Sequence, residues 1–449
     1  MNIVKEYKQY FTPLDLADFM VNLVPDDNVN TVVDLSMGEC GLLEAAKKRW
    51  NDASFFGADI DETLLSKIHA KSPYIHTFSG DSLGNTVKKW DVYQNVLNNA
   101  RFDLAIANPP FNYFDQANVC CGDNDNLTLP IEMRFLLKYI EIVRDGGYIC
   151  IILPYGFLSL DLYNKLRLKI LSKVTIHKVI KIFDNCFDRI DADTCLLLMQ
   201  KKRTNDRYIQ DNISIEYLDS EYLLQKYTNV AISSEKSRLD LEYHQLLKDF
   251  QNIRQVCRHP INLLNQYVIS CKRGRTLANK KDLIVEKGIR FLHTTDVKYL
   301  SISNHSPIYV LRNTDYFKES RVKPKSILIG RVGKACIGKI AIVPERYPLT
   351  VISDCIFCLE IRDIDPYYLT LYLASQYGQM QLKGLAKGSC SKYITKEDLL
   401  QLMIIVPGMD IQVYLRERYL DILSRPGRTK KDILLKKLVS EVEIILGKE

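Results

Sequence analysis

The run Phe102-Asp103-Leu104-Ala105-Ile106-Ala107-Asn108-Pro109-Pro110-Phe111 constrains this chain more than any other stretch. The apolar side chains around Asp103 read as a buried strand, and two successive prolines end it. Proline lacks a backbone N–H and fixes φ, so the pair makes a rigid, extended corner. Asn108 therefore stands at the carboxyl end of a strand with its amide held in place, and an aromatic residue follows the prolines. An amide that accepts hydrogen bonds beside a flat hydrophobe suits a planar ring bearing an exocyclic amino group. A strand that merely ran into a Pro-rich turn would ask nothing of Asn or Phe.

The segments before that strand repeat its logic. Thr31 to Leu35 is a short apolar strand containing Asp34, followed by the glycine-containing turn Ser36 to Gly41 and a helix from Leu42. Ser54 to Ile60 is a second strand, with Asp59 at its end, and Ile75 to Gly80 a third that leads into Asp81. Asp34, Asp59, Asp81 and Asn108 thus recur at the carboxyl ends of successive strands, the edge of an open α/β sheet where ligands bind. A strand, glycine turn and helix is also the shape of a first nucleotide-binding βα unit, and an acid ending the second strand is placed to bond ribose hydroxyls. No GxGxxG is present, so the glycines alone do not indicate a dinucleotide fold. Upstream, Thr12 before Pro13 reads as the N-cap of a helix over Leu14 to Val24 with Pro at its first position. A helix end with a hydroxyl also suits a ligand carboxylate. Downstream, the α/β pattern continues to Lys201, and Phe187 is an aromatic in a polar loop, by default a loop anchor.

Length predicts two to three domains: an α/β part over 1–203, a polar connector over 204–262, a part with short β-type runs over 263–410, and a charged helical tail over 411–449. The tail's apolar stripe is short for a coiled coil and is expected to pack on its own domain. The net charge of +7 is unevenly spread: Ser270 to Ile340 holds sixteen Lys/Arg against five Asp/Glu, a net +11. Such a block points to a surface facing a polyanion; a solvated lysine face is the other reading. The twelve cysteines are scattered, and Cys355 and Cys358 form the one CxxC. Without a second pair at zinc spacing they read as core packing, with no metal expected. Scattered thiols suit a reducing, cytoplasmic compartment. No apolar run approaches membrane-spanning length and Met1 to Tyr10 is polar, so no membrane partner is expected.

With these residues in view, about the first 200 positions resemble the gamma-class N6-adenine DNA methyltransferases of restriction–modification systems. The resemblance implies an α/β, Rossmann-like class I S-adenosylmethionine-dependent methyltransferase domain over 1–203. Phe11-Thr12-Pro13 is similar to the motif whose Thr meets the cofactor's methionine carboxylate. Asp34 to Gly41, with Gly38, resembles the cofactor loop, Asp59-Ile60 the pair that grips the ribose and packs on adenine, and Asp81 the acid that bonds the adenine amino group. Asn108-Pro109-Pro110-Phe111 resembles the catalytic motif, and Phe187 an aromatic that contacts the flipped target base. Cys40 stands where the family's loops usually have glycine, and a Cβ with a sulfur there is expected to narrow the pocket.

The second half resembles an α+β target recognition domain of type I restriction specificity subunits, through Lys325 to Ile342, Gly388 to Tyr393 and Ile404 to Pro407. It coincides with the basic block, where Lys272, Arg273, Arg275, Arg331 and Lys334 are the candidate DNA-contacting cations. The implied activity is site-specific transfer of a methyl group from S-adenosylmethionine to N6 of a flipped-out adenine in double-stranded DNA. A separate restriction endonuclease is a partner of such an enzyme, which is expected in the cytoplasm of a bacterium or archaeon, associated with the nucleoid. Methylation of cytosine N4, of RNA or protein glutamine, or a DNA-binding module with impaired catalysis are the alternatives.

Overall fold

The computed structural model describes residues 11–112, 114–120, 126–187, 192–203, 212–230, 238–278, 281–312, 315–425 and 427–447. The chain divides into two compact units, Met1–Leu241 and Glu242–Glu449.

In the first unit, helix α1 (Leu14–Leu23) precedes β1 (Thr31–Asp34), α2 (Gly41–Arg49), β2 (Ser54–Asp59), α3 (Glu62–Lys71), β3 (Ile75–Ser79), α4 (Asp91–Asn99) and β4 (Phe102–Ala107). A hairpin of β5 (Gln116–Cys120) and β6 (Asn126–Pro130) leads to α5 (Ile131–Ile142), β7 (Val143–Pro154), α6 (Asn164–Lys173), β8 (Val174–Ile182) and β9 (Thr194–Lys201). β10 (Ile213–Leu218) and β11 (Leu224–Val230) follow. Among the described residues these strands form a nine-stranded sheet in the order β11-β10-β8-β9-β7-β4-β1-β2-β3. β3, β2, β1, β4 and β7 are mutually parallel, and β9 runs antiparallel between β7 and β8.

Every residue of β4 is buried, as expected of a central parallel strand covered on both faces, where the sequence is apolar without alternation. Val32, Leu104 and Ile106 pack with α1 and α2 on one face, and Val33, Ala105 and Ala107 with α5 on the other. Asp103, the one acid in that strand, accepts hydrogen bonds from Asn30 N and Thr31 N at 2.9 Å each and pairs with Arg144. It staples the amino-terminal ends of β1, β4 and β7, so its burial is satisfied rather than costly. The segment read from sequence as a connector contributes β10 and β11 to this sheet. β11 pairs with β10 as a hairpin, but β10 joins the sheet through β8, on the far side of β9 in sequence, and local periodicity does not display that contact.

Helix α7 (Leu241–Val256) lies almost wholly in the second unit. There β12 (Ile261–Leu263), β13 (Val268–Arg273), β14 (Ile284–Val285), β15 (Ile289–Leu292), β16 (Val297–Lys298), β17 (Ser301–Ile302) and β18 (Ile308–Val310) are followed by β19 (Ile327–Gly330), β20 (Ile340–Ile342), β21 (Thr350–Ile352) and β22 (Ile356–Ile361). Helices α8 (Pro366–Ala374), α9 (Gln376–Leu385) and α10 (Lys396–Leu400), strand β23 (Met403–Ile405) and helices α11 (Met409–Ser424) and α12 (Arg428–Gly447) complete it. Two four-stranded sheets, β13-β22-β19-β20 and β14-β18-β15-β21, carry the basic block. The tail buries Leu415 and Tyr419 of α11 with Leu438 and Val442 of α12 in the same core as α8. Its stripe therefore packs on its own unit. No helix among the described residues is long and apolar enough to cross a membrane.

Candidate active site

Because β4, β1, β2 and β3 are neighbours and parallel, Asn108, Asp34, Asp59 and Asp81 arrive at one edge of the sheet. Two cavities of about 650 and 240 Å³ adjoin there, with Phe11, Ser36, Gly38 and Asn108 common to their walls. Thr12, Asp34 and Phe187 border the larger; Asp59, Ile60, Asp81, Pro109 and Pro110 border the smaller. The structure thus brings together all the sequence-derived cofactor residues, Asn108, both prolines and Phe187.

Phe111 is the exception. Its ring is half-buried against the apolar layer that contains α1, and it borders neither cavity. Phe187 is itself only 6% exposed, so it forms cavity wall rather than a protruding surface. A double proline sets where the backbone turns, but the direction of the next side chain depends on what packs beside it.

Thr12 also differs from the sequence reading. The helix begins at Leu14 with Pro13 as N-cap, and no side-chain bond caps it. Thr12 Oγ1 instead accepts a hydrogen bond from Asn108 Nδ2 at 3.2 Å. That bond orients the Asn108 amide, with its nitrogen toward Thr12.

The acids divide the work of holding the loops. Asp59 Oδ2 accepts from Gly38 N at 2.9 Å and Oδ1 from Asp61 N at 3.0 Å, which ties the β1–α2 turn down to the end of β2. Gly38 has φ +52, a conformation glycine adopts freely, and the Phe11 ring lies so close that an added Cβ would crowd it. Asp34 is 1% exposed and accepts hydrogen bonds from Ser36 N at 2.9 Å and Tyr139 Oη at 3.2 Å. Burial pushes its carboxyl up to about 7; the bonds from Ser36 and Tyr139 oppose that rise and nearby Asp59 adds to it. Burial likewise raises Asp59. Asp81 is exposed and Oδ1 accepts from Leu83 N at 2.9 Å.

Sequence reasoning missed the part played by α5. Tyr139 Oη accepts from Leu35 N at 2.9 Å while donating to Asp34, and buried Glu132 accepts from Asn112 N at 3.3 Å. Arg134 pairs with Asp115, and Ile131 and Phe135 line the smaller cavity. One helix therefore holds both the loop after β1 and the loop after Asn108. Its sequence signal was a Glu and a Tyr on the apolar face of an amphipathic helix.

Cys40 does not narrow the pocket. It sits at φ 59 as the N-cap of α2 and is 1% exposed, within the apolar layer of α1 and α2. The left-handed conformation costs a non-glycine residue about 1 kcal/mol, consistent with glycine as the usual occupant. Burial pushes the thiol up to about 12, so it stays protonated and plays no nucleophilic part.

A nucleoside cofactor fits this edge. Ile60 is 55% exposed beside the smaller cavity, a flat apolar surface for a base, and Ser82 Oγ, buried in the same wall, has no hydrogen-bond partner among the described residues. Asp59, a carboxylate acceptor, borders the same cavity.

In the second unit, the candidate cations do not form one group. Lys272 lies 3.7 Å from Glu360, which also pairs with Lys323. Arg275 stacks 6.0 Å over Tyr316. Arg331 donates to the Asp354 carbonyl at 2.9 Å and lies 5.2 Å over Phe357, a framework position. Arg273 and Lys334 are exposed, and Arg273 is near enough to Arg331 to depress its pKa, after burial. The Gly388–Tyr393 loop joins the Arg331–Gly333 turn through Gly333 N to Lys392 O at 2.8 Å and Ile394 N to Arg331 O at 2.9 Å.

A central parallel sheet with acids at successive strand ends and an Asn-Pro-Pro corner beside them defines the class I methyltransferase fold. Residues 2–252, more than half of the chain, match the N-6 DNA Methylase family, and the chain belongs to that family. Residues 268–439 match the type I restriction modification DNA specificity domain. A putative type II restriction enzyme and methyltransferase of Methanocaldococcus jannaschii is 23% identical over 351 residues, 70% of this chain and 28% of that protein. The chain thus spans little more than a quarter of that relative's length. Among solved structures, the type IIG restriction endonuclease BpuSI aligns over 97% of this chain and 65% of its own at 12% identity and TM-score 0.44. A modification subunit of a putative type I restriction enzyme from Vibrio vulnificus aligns over 56% and 57% at 16% identity and TM-score 0.39.

Proposed function

We propose that this chain methylates N6 of adenine in duplex DNA with S-adenosylmethionine as donor, the target base being flipped into the cavity beside Asn108. The observation that carries the reading is the Thr12–Asn108 hydrogen bond at the junction of the two cavities. It supports Asn108 Oδ1 as the acceptor of one N6–H, with the Pro109 carbonyl accepting the other. The N6 lone pair of adenine is delocalised into the ring and is a poor nucleophile. Two fixed acceptors favour a more tetrahedral nitrogen and stabilise the positive charge that develops on it. The bound cofactor supplies a methyl group on a sulfonium. Asp59 and Ile60 would hold its ribose and adenine, Asp81 the adenine amino group, and Thr12, Asp34 and the Gly38 turn its methionine end. A base paired in a duplex is out of reach of such a site and has to leave the stack. Phe187, on the wall of the larger cavity, is better placed than Phe111 to contact it. The specificity-type second unit would read sequence and phosphates, with exposed Arg273 and Lys334 as its leading cations.

Methylation-sensitive long-read sequencing of DNA from cells expressing the chain tests this directly. N6-methyladenine at one short motif is the expected result. Modified cytosine would overturn the choice of base, and an unmodified genome alongside purified protein inactive on that DNA would overturn the activity.

The Asp34 carboxyl carries a second test. Its folded pKa of about 7 lies above the ordinary carboxylate value, so between roughly pH 4 and 7 the free folded chain holds a proton that the unfolded chain has lost, and stability falls as pH rises through this window. A ligand that donates to Asp34 selects the ionised form. Affinity for S-adenosylmethionine is therefore expected to fall by up to about tenfold per unit below pH 7, and Asp34→Asn to bind weakly with no such slope. Calorimetry in buffers of different ionisation enthalpy should register proton release on binding. A flat profile in the unaltered chain would remove Asp34 from the cofactor site.

A further inference from the structure

A third, larger cavity of the first unit, about 900 Å³, is a groove outside the site described above. It begins at Leu83, which also borders the smaller active-site cavity, and passes between β5 and the outer face of α5 to the amino-terminal edge of the strands. Its lining contains eight Lys and Arg residues against two carboxylates, Glu141 and Asp145. Arg134 and Lys138 come from α5, Lys169 and Lys173 from α6, Lys201 from the end of β9 and Lys202 from the residue after it.

Some of these cations are anchored. Arg134 pairs with Asp115 and Lys138 lies 3.4 Å from Glu141. Lys201 Nζ donates to Val143 O and Lys202 Nζ to Leu171 O, both at 2.7 Å. Those two acceptors are neutral carbonyls. Lys169 and Lys173 have no ion-pair partner among the described residues. Burial, and Arg101 after it, holds the Lys201 ammonium below its usual range, with Asp145 opposing the shift. Among the described residues the groove has no Phe, Tyr, Trp or His in its wall; its apolar parts are Leu, Ile, Val and Ala.

From this we infer that the groove is a backbone track for nucleic acid: it receives the phosphodiester chain of DNA extending from the rim of the active site. Concentrated positive charge selects a polyanion. The described wall offers charge and aliphatic surface rather than rings for base stacking of the kind used for single strands, which favours binding to phosphates, independent of sequence. The stretch of α5 from Arg134 to Glu141 spans about 10 Å at 1.5 Å per residue, long for a lone phosphate and suited to a chain of them. This inference rests on the DNA-methylating reading and extends it to a face that reading does not use.

The test is the salt dependence of binding to a long random-sequence duplex, followed by fluorescence anisotropy, for the full chain and its Lys169→Ala/Lys173→Ala double variant. Neither residue borders the active-site cavities. Each phosphate that is no longer neutralised lowers the slope of log K against log salt by about 0.9, so the variant's slope is expected to shrink by about 1–2, with weaker binding, an unchanged melting temperature and unchanged S-adenosylmethionine affinity. An identical slope and affinity would overturn the inference alone. Loss of binding to polyglutamate with duplex binding intact would overturn it in favour of an acidic protein partner. An unaltered chain that binds no duplex even at low salt would sink the DNA reading and the track together.

Discussion

Asn108→Ala is expected to reduce methyl transfer by about 10²–10³-fold, the effect of removing one preorganised acceptor or donor at a developing charge, while leaving duplex affinity unchanged. Asn108 lies one residue beyond β4, and its amide bonds Thr12 between part-buried groups. Losing that link costs stability only about 1 kcal/mol, so the variant remains folded. Single-turnover kinetics with saturating DNA and cofactor separate the chemical step from binding. The loss should appear in that step, and turnover near that of the unaltered chain would sink the mechanism. Substitution by Asp keeps an acceptor but loses the amide donor to Thr12, so it is expected to retain more activity than Ala.

Gly57→Val should act on the cofactor side with comparable force and for a different reason. Gly57 lies in β2 opposite Asp34, and a Cβ there would overlap the Met37 sulfur and stand 3.0 Å from Leu43 Cδ1. Met37 N bonds Ala58 O at 2.9 Å, so the turn that carries Gly38 rests directly on this bare patch of strand. A branched side chain would lift the turn and break the Gly38–Asp59 bond. Overpacking of this kind costs about 1–3 kcal/mol, and S-adenosylmethionine affinity is expected to fall at least about tenfold. Met37→Ala should restore much of both by making room. If the double variant binds cofactor no better than Gly57→Val alone, the close approach is not the cause. Thermal melting and cofactor titration on the three variants decide it.

Much of the first unit was legible because strands buried on both faces write themselves as short apolar runs, and turns as polar or glycine residues at their ends. Four such runs placed Asp34, Asp59, Asp81 and Asn108 at strand ends, and parallel pairing carried them to one edge. The basic block of the second half was likewise visible as charge. The partners of those residues were less so. Thr12 and Asn108 are 96 positions apart and Tyr139 and Asp34 105, and no periodicity records which of two polar residues on different elements will meet. Side-chain direction was hidden for the same reason: Phe111 and Cys40 turn into the apolar layer of α1, where sequence placed one against the base and the other in the pocket.

By itself, then, the sequence determined the alternation of strands and helices, the polar strand ends and the rigid corner after Asn108, because these depend on local backbone chemistry and on burial patterns a few residues long. Tertiary structure alone decided that Thr12 serves Asn108 rather than a helix cap, that α5 holds both loops, that β10 and β11 extend the sheet, and that lysines from separate elements converge beside α5. Those outcomes depend on which surfaces come together, and side-chain contacts across such distances are set by packing of the whole unit.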